Sequence, residues 1–329
     1  MKAFLFAAAL LLLCSTAGAI DVRKDAVRAF IDEMVREHEF DRAALEKMLK
    51  NAERKQSILD AISRPAEKTL SWAEYRQIFI TPERIQAGAE FWRENCDTLA
   101  RIAASSGVPE EILVGIIGVE TYYGRITGGY RVLDALATLA FHYPPRSAFF
   151  RKELKQYLLL VREEGIAADE ATGSYAGAMG RPQFMPSSFR AYAIDSTGDG
   201  KRDIWNDWAD VAGSIANYFN AHGWRSGQPV IAQAALSSRW SDPAPEPRNT
   251  LQATDTVTSL SEKGVLFSTD LPAESATQLL SYEGEDGLEF WVGFHNFFVI
   301  TRYNHSVMYA LAVHQLGQEI ARAIENNAS

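Results

Sequence analysis

The chain has 329 residues, of which 47% are apolar and 23% charged, and its formal net charge is −9. This length and composition are typical of a globular protein with a sizeable core and about two domains, or one elaborated domain. The acidic balance excludes the basic stripe of a nucleic-acid-binding protein, and it means that local contacts, not long-range attraction, would have to hold an acidic polymer.

The N-terminus has the pattern of a secretory signal peptide. Lys2 precedes an unbroken apolar run, Ala3–Leu13, and Ala17–Ala19 forms a small-residue cleavage site. The run is too short to span a bilayer, which takes about 20 residues. We therefore expect residues 1–19 to be removed as a signal peptide.

The two cysteines bear on anchoring and on redox chemistry. Cys14 lies inside the signal and suggests a lipid anchor, but Leu13 stands where lipidation requires a small residue. Cleavage after Ala19 would instead leave Cys96 as the one remaining cysteine, so no disulfide could form within the chain. The pattern around Cys96 predicts a half-buried helix residue.

The next 140 or so residues have a helical pattern. Val27, Phe30, Ile31 and Met34 recur at the spacing of one amphipathic helix face. Pro109 and the acids after it are typical of a helix start, and Gly124 is typical of a stop. Further helices are predicted near 41–54, 83–104, 109–123, 131–142 and 147–164.

The second half of the chain is more varied. A glycine-rich loop is predicted at 173–188, short strands at 265–267 and 289–292, and helices near 187–194, 208–222 and 303–325. The fold class is therefore α+β, mainly α. We expect a helical lobe and core over 20–228, a small β-containing subdomain over 229–300, and a C-terminal helix over 301–329 that packs back on the core.

Glu120 is the sharpest chemical signal. Leu113, Ile116 and Ile117 lie on one helix face, and Glu120 occupies the next position of that face, where an apolar residue is expected. Desolvation there would raise the pKa of the carboxyl group, which suits a general acid. The alternative is a buried glutamate paired with Arg125 or Arg131.

The segment GSYAGAMGRPQFMPSS, residues 173–188, is a second candidate. Its glycines allow a backbone to approach a ligand, Gln183 offers a donor and an acceptor, and Tyr175 and Phe184 can stack on sugar rings. A tightly packed structural loop is an equally good interpretation of the same residues.

The third signal, DSTGDGKRD, begins at Asp195 and matches the first half of an EF-hand loop. Oxygen-bearing side chains stand at positions 1, 3 and 5, a glycine at 6, and Lys201 at 7 would contribute its carbonyl. Asn206 replaces the glutamate expected at position 12, so Asp207 or Asp210 would close the site. A solvated acidic turn is the alternative to this calcium site.

Together these segments resemble the lytic murein transglycosylase B family. The resemblance covers most of the chain after the signal and is weakest over 230–275. It is carried by TLSWAEYRQIF (69–79), GVETYYGRITGGYRVLDALATLAFHYPPR (118–146), GSYAGAMGRPQFMPSSFRAYAIDSTGDGKRDIW (173–205), ADVAGSIANYFNAHGW (209–224) and YEGEDGLEFWVGFHNFFVITRYNHSVMYALAVHQL (282–316).

The resemblance implies a lysozyme-like catalytic core in an α-rich protein. The implied reaction cleaves the β-1,4 bond between N-acetylmuramic acid and N-acetylglucosamine, and the muramyl 6-hydroxyl attacks in place of water to leave a 1,6-anhydro end. Glu120 would be the single acid/base. A hydrolytic muramidase and a non-catalytic peptidoglycan-binding or scaffold protein are the alternatives.

The resemblance also implies the other functional residues. It places calcium on the loop 195–210 as a structural ion, with no cofactor for catalysis. It implies a soluble periplasmic monomer that acts on glycan strands, with cell-wall synthesis proteins as candidate partners and no nucleic acid. Pro145 replaces one of two arginines found in some members. The implied saccharide contacts are Tyr75, Arg146, Ser174, Gln183, Phe184, Tyr218, Tyr303 and Asn304, and the implied calcium ligands are Asp195, Thr197, Asp199, Lys201 and Asp210.

Overall fold

The computed structural model describes residues 18–63 and 70–328. The predicted signal peptide therefore lies outside the described residues except at its end, and Cys14 lies outside them altogether. Gly18–Ala19 forms strand β1 and pairs antiparallel with β2, Glu53–Arg54. Cleavage after Ala19 would remove this pairing.

Helices make up most of the chain before residue 230, as the apolar spacing predicts. The predicted amphipathic helix is confirmed as α1, and its buried residues are Val27, Phe30, Ile31 and Met34. The helices of this part are α1 (Asp25–His38), α2 (Arg42–Asn51), α3 (Gln56–Ile62), α4 (Trp72–Phe79), α5 (Pro82–Glu94), α6 (Cys96–Ser106), α7 (Glu110–Thr121), α8 (Val132–His142), α9 (Ser147–Glu164), α10 (Pro186–Tyr192) and α11 (Trp208–Ala221).

Two predictions in this part are wrong in detail. The single helix predicted near 83–104 is divided between α5 and α6 at Asn95, whose side-chain amide donates to the carbonyl oxygen of Phe91 at 2.8 Å and so ends α5. Cys96 follows directly as the first residue of α6 and is exposed, not half-buried.

Two short strands, β3 (Tyr130–Arg131) and β4 (Thr172–Gly173), pair antiparallel with each other. A five-stranded antiparallel sheet follows, formed by β5 (Ile231–Leu236), β6 (Asp255–Thr256), β7 (Val265–Leu266), β8 (Ala276–Gly284) and β9 (Gly287–Gly293) in the order β6-β8-β9-β5-β7. It has a small core of its own, formed by Leu260, Val265, Leu279, Val292 and Phe294. The predicted strands near 265 and 289 are confirmed, and the fold class is α+β, mainly α, as expected. Helix α12 (Val257–Lys263) lies between β6 and β7 in the chain.

The helix predicted over 303–325 is confirmed with shifted ends, and a further helix that the sequence did not predict precedes it. The two helices are α13 (His295–Tyr303) and α14 (Val307–Ala328), so the expected boundary between residues 300 and 301 falls inside α13. The break lies at 304–306, because the Ser306 hydroxyl accepts from the backbone N–H of Tyr309 at 3.2 Å and caps the start of α14. In the described part of the chain no single helix is both long and apolar enough to cross a membrane, although α6 and α7, which meet at 116°, reach that length together.

Helices α7 and α14 approach each other unusually closely. A Cβ atom on Gly317 of α14 would lie 2.2 Å from the carbonyl oxygen of Glu111, and one on Gly115 of α7 would lie 2.5 Å from that of Val313. Only glycine tolerates these distances, so the two backbones lie in direct contact.

We predict that Gly317→Ala destabilises the fold. The added methyl group would push α14 away from α7, and overpacking of this kind costs about 1–3 kcal/mol, which outweighs the roughly 1 kcal/mol that alanine gains in helix propensity. Chemical denaturation measures the free energy of unfolding. Gly129→Ala is the control, because nothing lies within 4 Å of its Cβ position. Equal stabilities of the two variants would contradict the close contact.

Candidate active site

Glu120 lies in the last turn of α7, directly after the buried residues Leu113, Ile116 and Ile117 of the same helix face. The glutamate itself is half-buried. Its Oε1 atom accepts a hydrogen bond of 2.5 Å from the hydroxyl of Tyr309 on α14. The arginines considered as partners are engaged elsewhere: Arg131 pairs with Asp134, and Arg125 lies over the ring of Tyr122.

Tyr309 is a partner of Glu120 that sequence reasoning missed. It lies in the first turn of α14 and is 2% exposed. Burial first, and then the negative charge of Glu120, raise the pKa of its hydroxyl well above the usual value of 10. Tyr309 therefore remains protonated at neutral pH and remains a donor to the carboxylate.

Helix α7 ends at Thr121, three residues before the stop predicted at Gly124, and the side-chain hydroxyl of Thr121 holds this end in place. Tyr122 and Tyr123 both adopt left-handed conformations with φ of 50° and 57°. The hydroxyl of Thr121 donates to the carbonyl of Arg181 at 3.1 Å and accepts from the N–H of Gly124 at 3.1 Å. The turn after Glu120 is thereby tied to the loop that begins at residue 173.

Three of the predicted saccharide contacts form one aromatic cluster. The ring of Phe184 lies 5.8 Å from those of Tyr218 and Tyr303, which are 4.9 Å apart. Tyr303 donates to the carbonyl of Pro182 at 2.6 Å, and Tyr218 to that of Arg302 at 2.5 Å. Burial, and then the charge of Glu120, raise the pKa of Tyr303, which places the cluster within electrostatic reach of the carboxylate.

Two further predicted contacts lie on α4 and in the turn before α14. Tyr75 is buried on α4, packs 5.2 Å from the ring of Phe79, and contributes after burial and Glu120 to the raised pKa of Tyr309. Asn304 is half-buried in the turn between α13 and α14, directly after Tyr303 of the aromatic cluster.

The loop after residue 173 is shaped largely by its own contacts. The hydroxyl of Ser174 accepts from the N–H groups of Ala176 and Ala178 at 3.2 and 3.1 Å. A Cβ atom on Gly173 would lie 2.1 Å from the carbonyl oxygen of Ala178, so this glycine serves the packing of the loop on itself. Close packing therefore accounts for this glycine without a ligand.

Gln183 has a left-handed φ of 52°, and its side-chain amide donates to the carbonyls of Thr127 and Gly180 at 3.0 and 2.9 Å. Arg146 lies apart from these groups. Its guanidinium is exposed at the start of α9 and is 4.4 Å from the centre of the Phe149 ring. The contacts of Arg146 thus do not join it to the aromatic cluster.

The predicted calcium loop is a tight turn around Asp195. Its carboxylate accepts from the N–H groups of Thr197, Gly198 and Gly200 at 3.1, 2.6 and 2.8 Å. The bond from Gly200 is the largest of the contributions that lower the pKa of Asp195. Asp199 accepts in the same way from the N–H of Lys201 at 2.9 Å.

Asp210 closes the loop from the first turn of α11. It is 1% exposed, and its two oxygens accept from Ser196 N and Asp203 N at 2.7 and 2.8 Å, with burial raising its pKa. Asp207 instead caps the start of α11. The oxygen donors have the chemistry that calcium prefers. Within residues 18–63 and 70–328, however, no three His, Cys, Asp or Glu side chains are grouped as a metal site.

The fold and the site together define a class of protein. A half-buried glutamate at a helix end, held by a tyrosine hydroxyl beside a cluster of aromatic rings, is an arrangement suited to cleaving glycosidic bonds in a lysozyme-like core.

Comparison with known proteins identifies the family. Residues 23–318 match the family model of the transglycosylase SLT domain. The chain is 43% identical to membrane-bound lytic murein transglycosylase B of Escherichia coli K12 over 89% of this chain and 82% of the relative. The chain therefore belongs to the SLT-domain lytic murein transglycosylases and is an enzyme of that family.

Solved structures agree with this assignment. The soluble lytic transglycosylase SltB1 of Pseudomonas aeruginosa is 50% identical, with a TM-score of 0.83, over 90% of this chain and 98% of that one. Slt35 of Escherichia coli, solved in complex with calcium, is 41% identical, with a TM-score of 0.84, over 94% of this chain and 97% of that one. The lysozyme-like core expected from the sequence is thus confirmed.

We predict that Tyr309→Phe lowers the rate of glycan cleavage about ten- to hundredfold. The change removes a hydrogen bond to a charged group, worth about 1.5–3 kcal/mol, while the ring still fills its buried position. The rate of muropeptide release from sacculi measures the effect. Tyr157→Phe is the matched control, because this buried tyrosine donates to Ala168 instead. A Tyr309→Phe variant as active as the control would mean that the hydrogen bond plays no part in the reaction.

Proposed function

We propose that Glu120 is the single acid/base of a reaction that cleaves the β-1,4 bond between N-acetylmuramic acid and N-acetylglucosamine and leaves 1,6-anhydromuramyl ends. The observation that carries the proposal is the 2.5 Å hydrogen bond from Tyr309 to the half-buried Glu120 carboxylate. It gives the carboxylate a fixed orientation at the end of a rigid helix, as proton transfer requires.

The proposed reaction has two steps. The protonated Glu120 first donates its proton to the glycosidic oxygen, and the bond from C1 of the muramyl residue to that oxygen breaks. The carboxylate then accepts the proton of the muramyl 6-hydroxyl as O6 bonds to C1. Glu120 ends in its starting form, and Tyr309 stabilises the carboxylate between the steps. One carboxylate thus performs both proton transfers, for which most glycosidases use a pair of carboxylates.

The aromatic cluster supports a role in substrate binding. Phe184 and Tyr218 are 2% and 8% exposed, so we propose that these two rings form the base of the saccharide site and that the half-buried Tyr303 contacts the sugar. We propose that Tyr75 and Asn304 belong to the same saccharide site, next to Tyr309. Ser174, Gln183 and Arg146 complete the proposed set of saccharide contacts, with Arg146 at its exposed margin.

We propose that the loop 195–210 binds a structural calcium ion. The ligands would be the carboxylates of Asp195, Asp199 and Asp210, the hydroxyl of Thr197 and the carbonyl of Lys201. The burial of Asp210 supports the proposal, because a bound cation would offset the cost of holding that carboxylate in its charged form. The ion would stabilise the fold and take no part in the chemistry.

We propose that the enzyme is exported to the periplasm, is cleaved after Ala19, and acts there as a soluble monomer on glycan strands. Its family acts on murein, which supports the location. After cleavage, Ile20 would begin the chain, and its contact with the carbonyl of Ala52 at 3.0 Å would hold the new N-terminus in place of β1.

We predict that Glu120→Gln lowers the release of muropeptides from sacculi at least about a hundredfold, because the amide can neither donate nor accept the proton. Binding of the variant to sacculi, measured by co-sedimentation, should stay within about twofold of the native enzyme. Glu111→Gln, at the start of the same helix, is the control and should keep full activity. Release at the native rate by Glu120→Gln would exclude Glu120 as the acid/base.

We predict that calcium raises the melting temperature and that a chelator reverses the effect. A ligand at about 100 times its Kd stabilises the folded state by about 2.7 kcal/mol, which corresponds to a shift of about 4 °C for a chain of this length. Differential scanning fluorimetry checks this, with magnesium as the ion control and Asp199→Asn as the variant that should respond less. A melting temperature that is the same in calcium and in chelator would exclude the calcium site.

A further inference from the structure

The turn between α13 and α14 lies between two tyrosines of the active site. Tyr303 precedes the turn and belongs to the aromatic cluster, and Tyr309 follows it and donates to Glu120. The position of Tyr309 therefore depends on where α14 begins.

A single side chain from another part of the fold holds both sides of this turn. The amide nitrogen of Asn249 donates to the carbonyl of His305 at 2.8 Å, and its amide oxygen accepts from the N–H of Val307 at 2.9 Å. Val307 is the first residue of α14, and the first N–H groups of a helix have no partner within it. Asn249 supplies that partner.

The five-stranded sheet also contacts the first residue of α14, Val307. Tyr282 on β8 is 2% exposed, and its hydroxyl donates to the carbonyl of Val307 at 3.2 Å. A cavity of about 490 Å³ borders Asn249, Val307 and Tyr282. Hydrogen bonds with Asn249 and Tyr282 therefore both end on the first residue of α14.

We propose that Asn249 is a positioning residue that fixes the first turn of α14 and thereby holds Tyr309 in hydrogen-bonding distance of Glu120. The inference rests on the proposed role of Glu120. It assigns a part in positioning the active site to the stretch 230–275, where the family resemblance is weakest.

The physical reason is the steep dependence of a hydrogen bond on geometry. Tyr309 donates at 2.5 Å, and the bond weakens sharply when the donor moves or turns. A displacement of about 1 Å at a catalytic group can cost a hundredfold in rate. Loss of the Asn249 contacts would leave the Val307 N–H without its partner and allow the first turn to shift.

The test compares Asn249→Ala with two other variants on soluble glycan strands, with kcat and KM measured separately. Asn249→Asp keeps the acceptor for Val307 but cannot donate to His305. Thr254→Val is the matched control, because it removes a hydrogen bond of the same segment, to Gln278 at 2.8 Å, that does not reach the turn. Each variant is combined with Tyr309→Phe to complete a double-mutant cycle.

We expect Asn249→Ala to lower kcat at least about tenfold with KM within about threefold, Asn249→Asp to lose less, and Thr254→Val to match the native enzyme. In the Tyr309→Phe background, Asn249→Ala should have little further effect, because both changes remove the same contact. An effect confined to KM, an effect equal to that of Thr254→Val, or a full additional loss in the Tyr309→Phe background would overturn the proposal.

Two checks separate this inference from its premises. If circular dichroism shows that Asn249→Ala is unfolded, the comparison rests on Asn249→Asp, whose kcat must then be at least about threefold below that of Thr254→Val. Native enzyme that forms no anhydromuramyl ends would contradict the proposed function. Native enzyme that forms them, together with unchanged kcat in both Asn249 variants, would contradict the positioning role alone.

Discussion

The hydrogen bond between Tyr309 and Glu120 is the interaction on which the rest of the site depends. It joins residues 189 positions apart in the sequence, one at the end of α7 and one at the start of α14. The two helices can place these side chains 2.5 Å apart because their backbones touch where Gly115 and Gly317 lie. Burial keeps Tyr309 protonated, so a neutral donor always faces the carboxylate. Helix packing in the core thus sets the geometry of the proposed proton transfer.

The surrounding structure fixes the two ends of this hydrogen bond by different means. The end of α7 is tied through Thr121 to Arg181, in the loop that carries the aromatic residue Phe184. The start of α14 is tied through Val307 to Asn249 and to the small sheet. The sheet therefore has a structural connection to the active site although none of the proposed saccharide contacts lies on its strands. A catalytic group held from several elements is better oriented than one held by its own helix.

Sequence reasoning singled out Glu120 because a carboxylate on an apolar helix face violates the helical pattern, and local periodicity also predicted most of the helices. It missed Tyr309 because a tyrosine in an apolar helix fits the pattern of a core residue, and its partnership with Glu120 arises only from tertiary packing. The same holds for Asn249, a polar residue in an irregular segment. The end of α7 was predicted three residues too far along the chain, at Gly124, because the side chain of Thr121 and not a glycine organises the turn.

The measurement that tests the central claim most directly is digestion of purified sacculi in water enriched in oxygen-18, followed by mass spectrometry of the products. If Glu120 takes the proton of the muramyl 6-hydroxyl, the new ends are anhydromuramyl residues that lack one water and contain no oxygen-18. If water attacks instead, the new ends are reducing sugars that carry the heavy isotope. The account predicts the first result, and labelled reducing ends would contradict it and show that the enzyme is a muramidase.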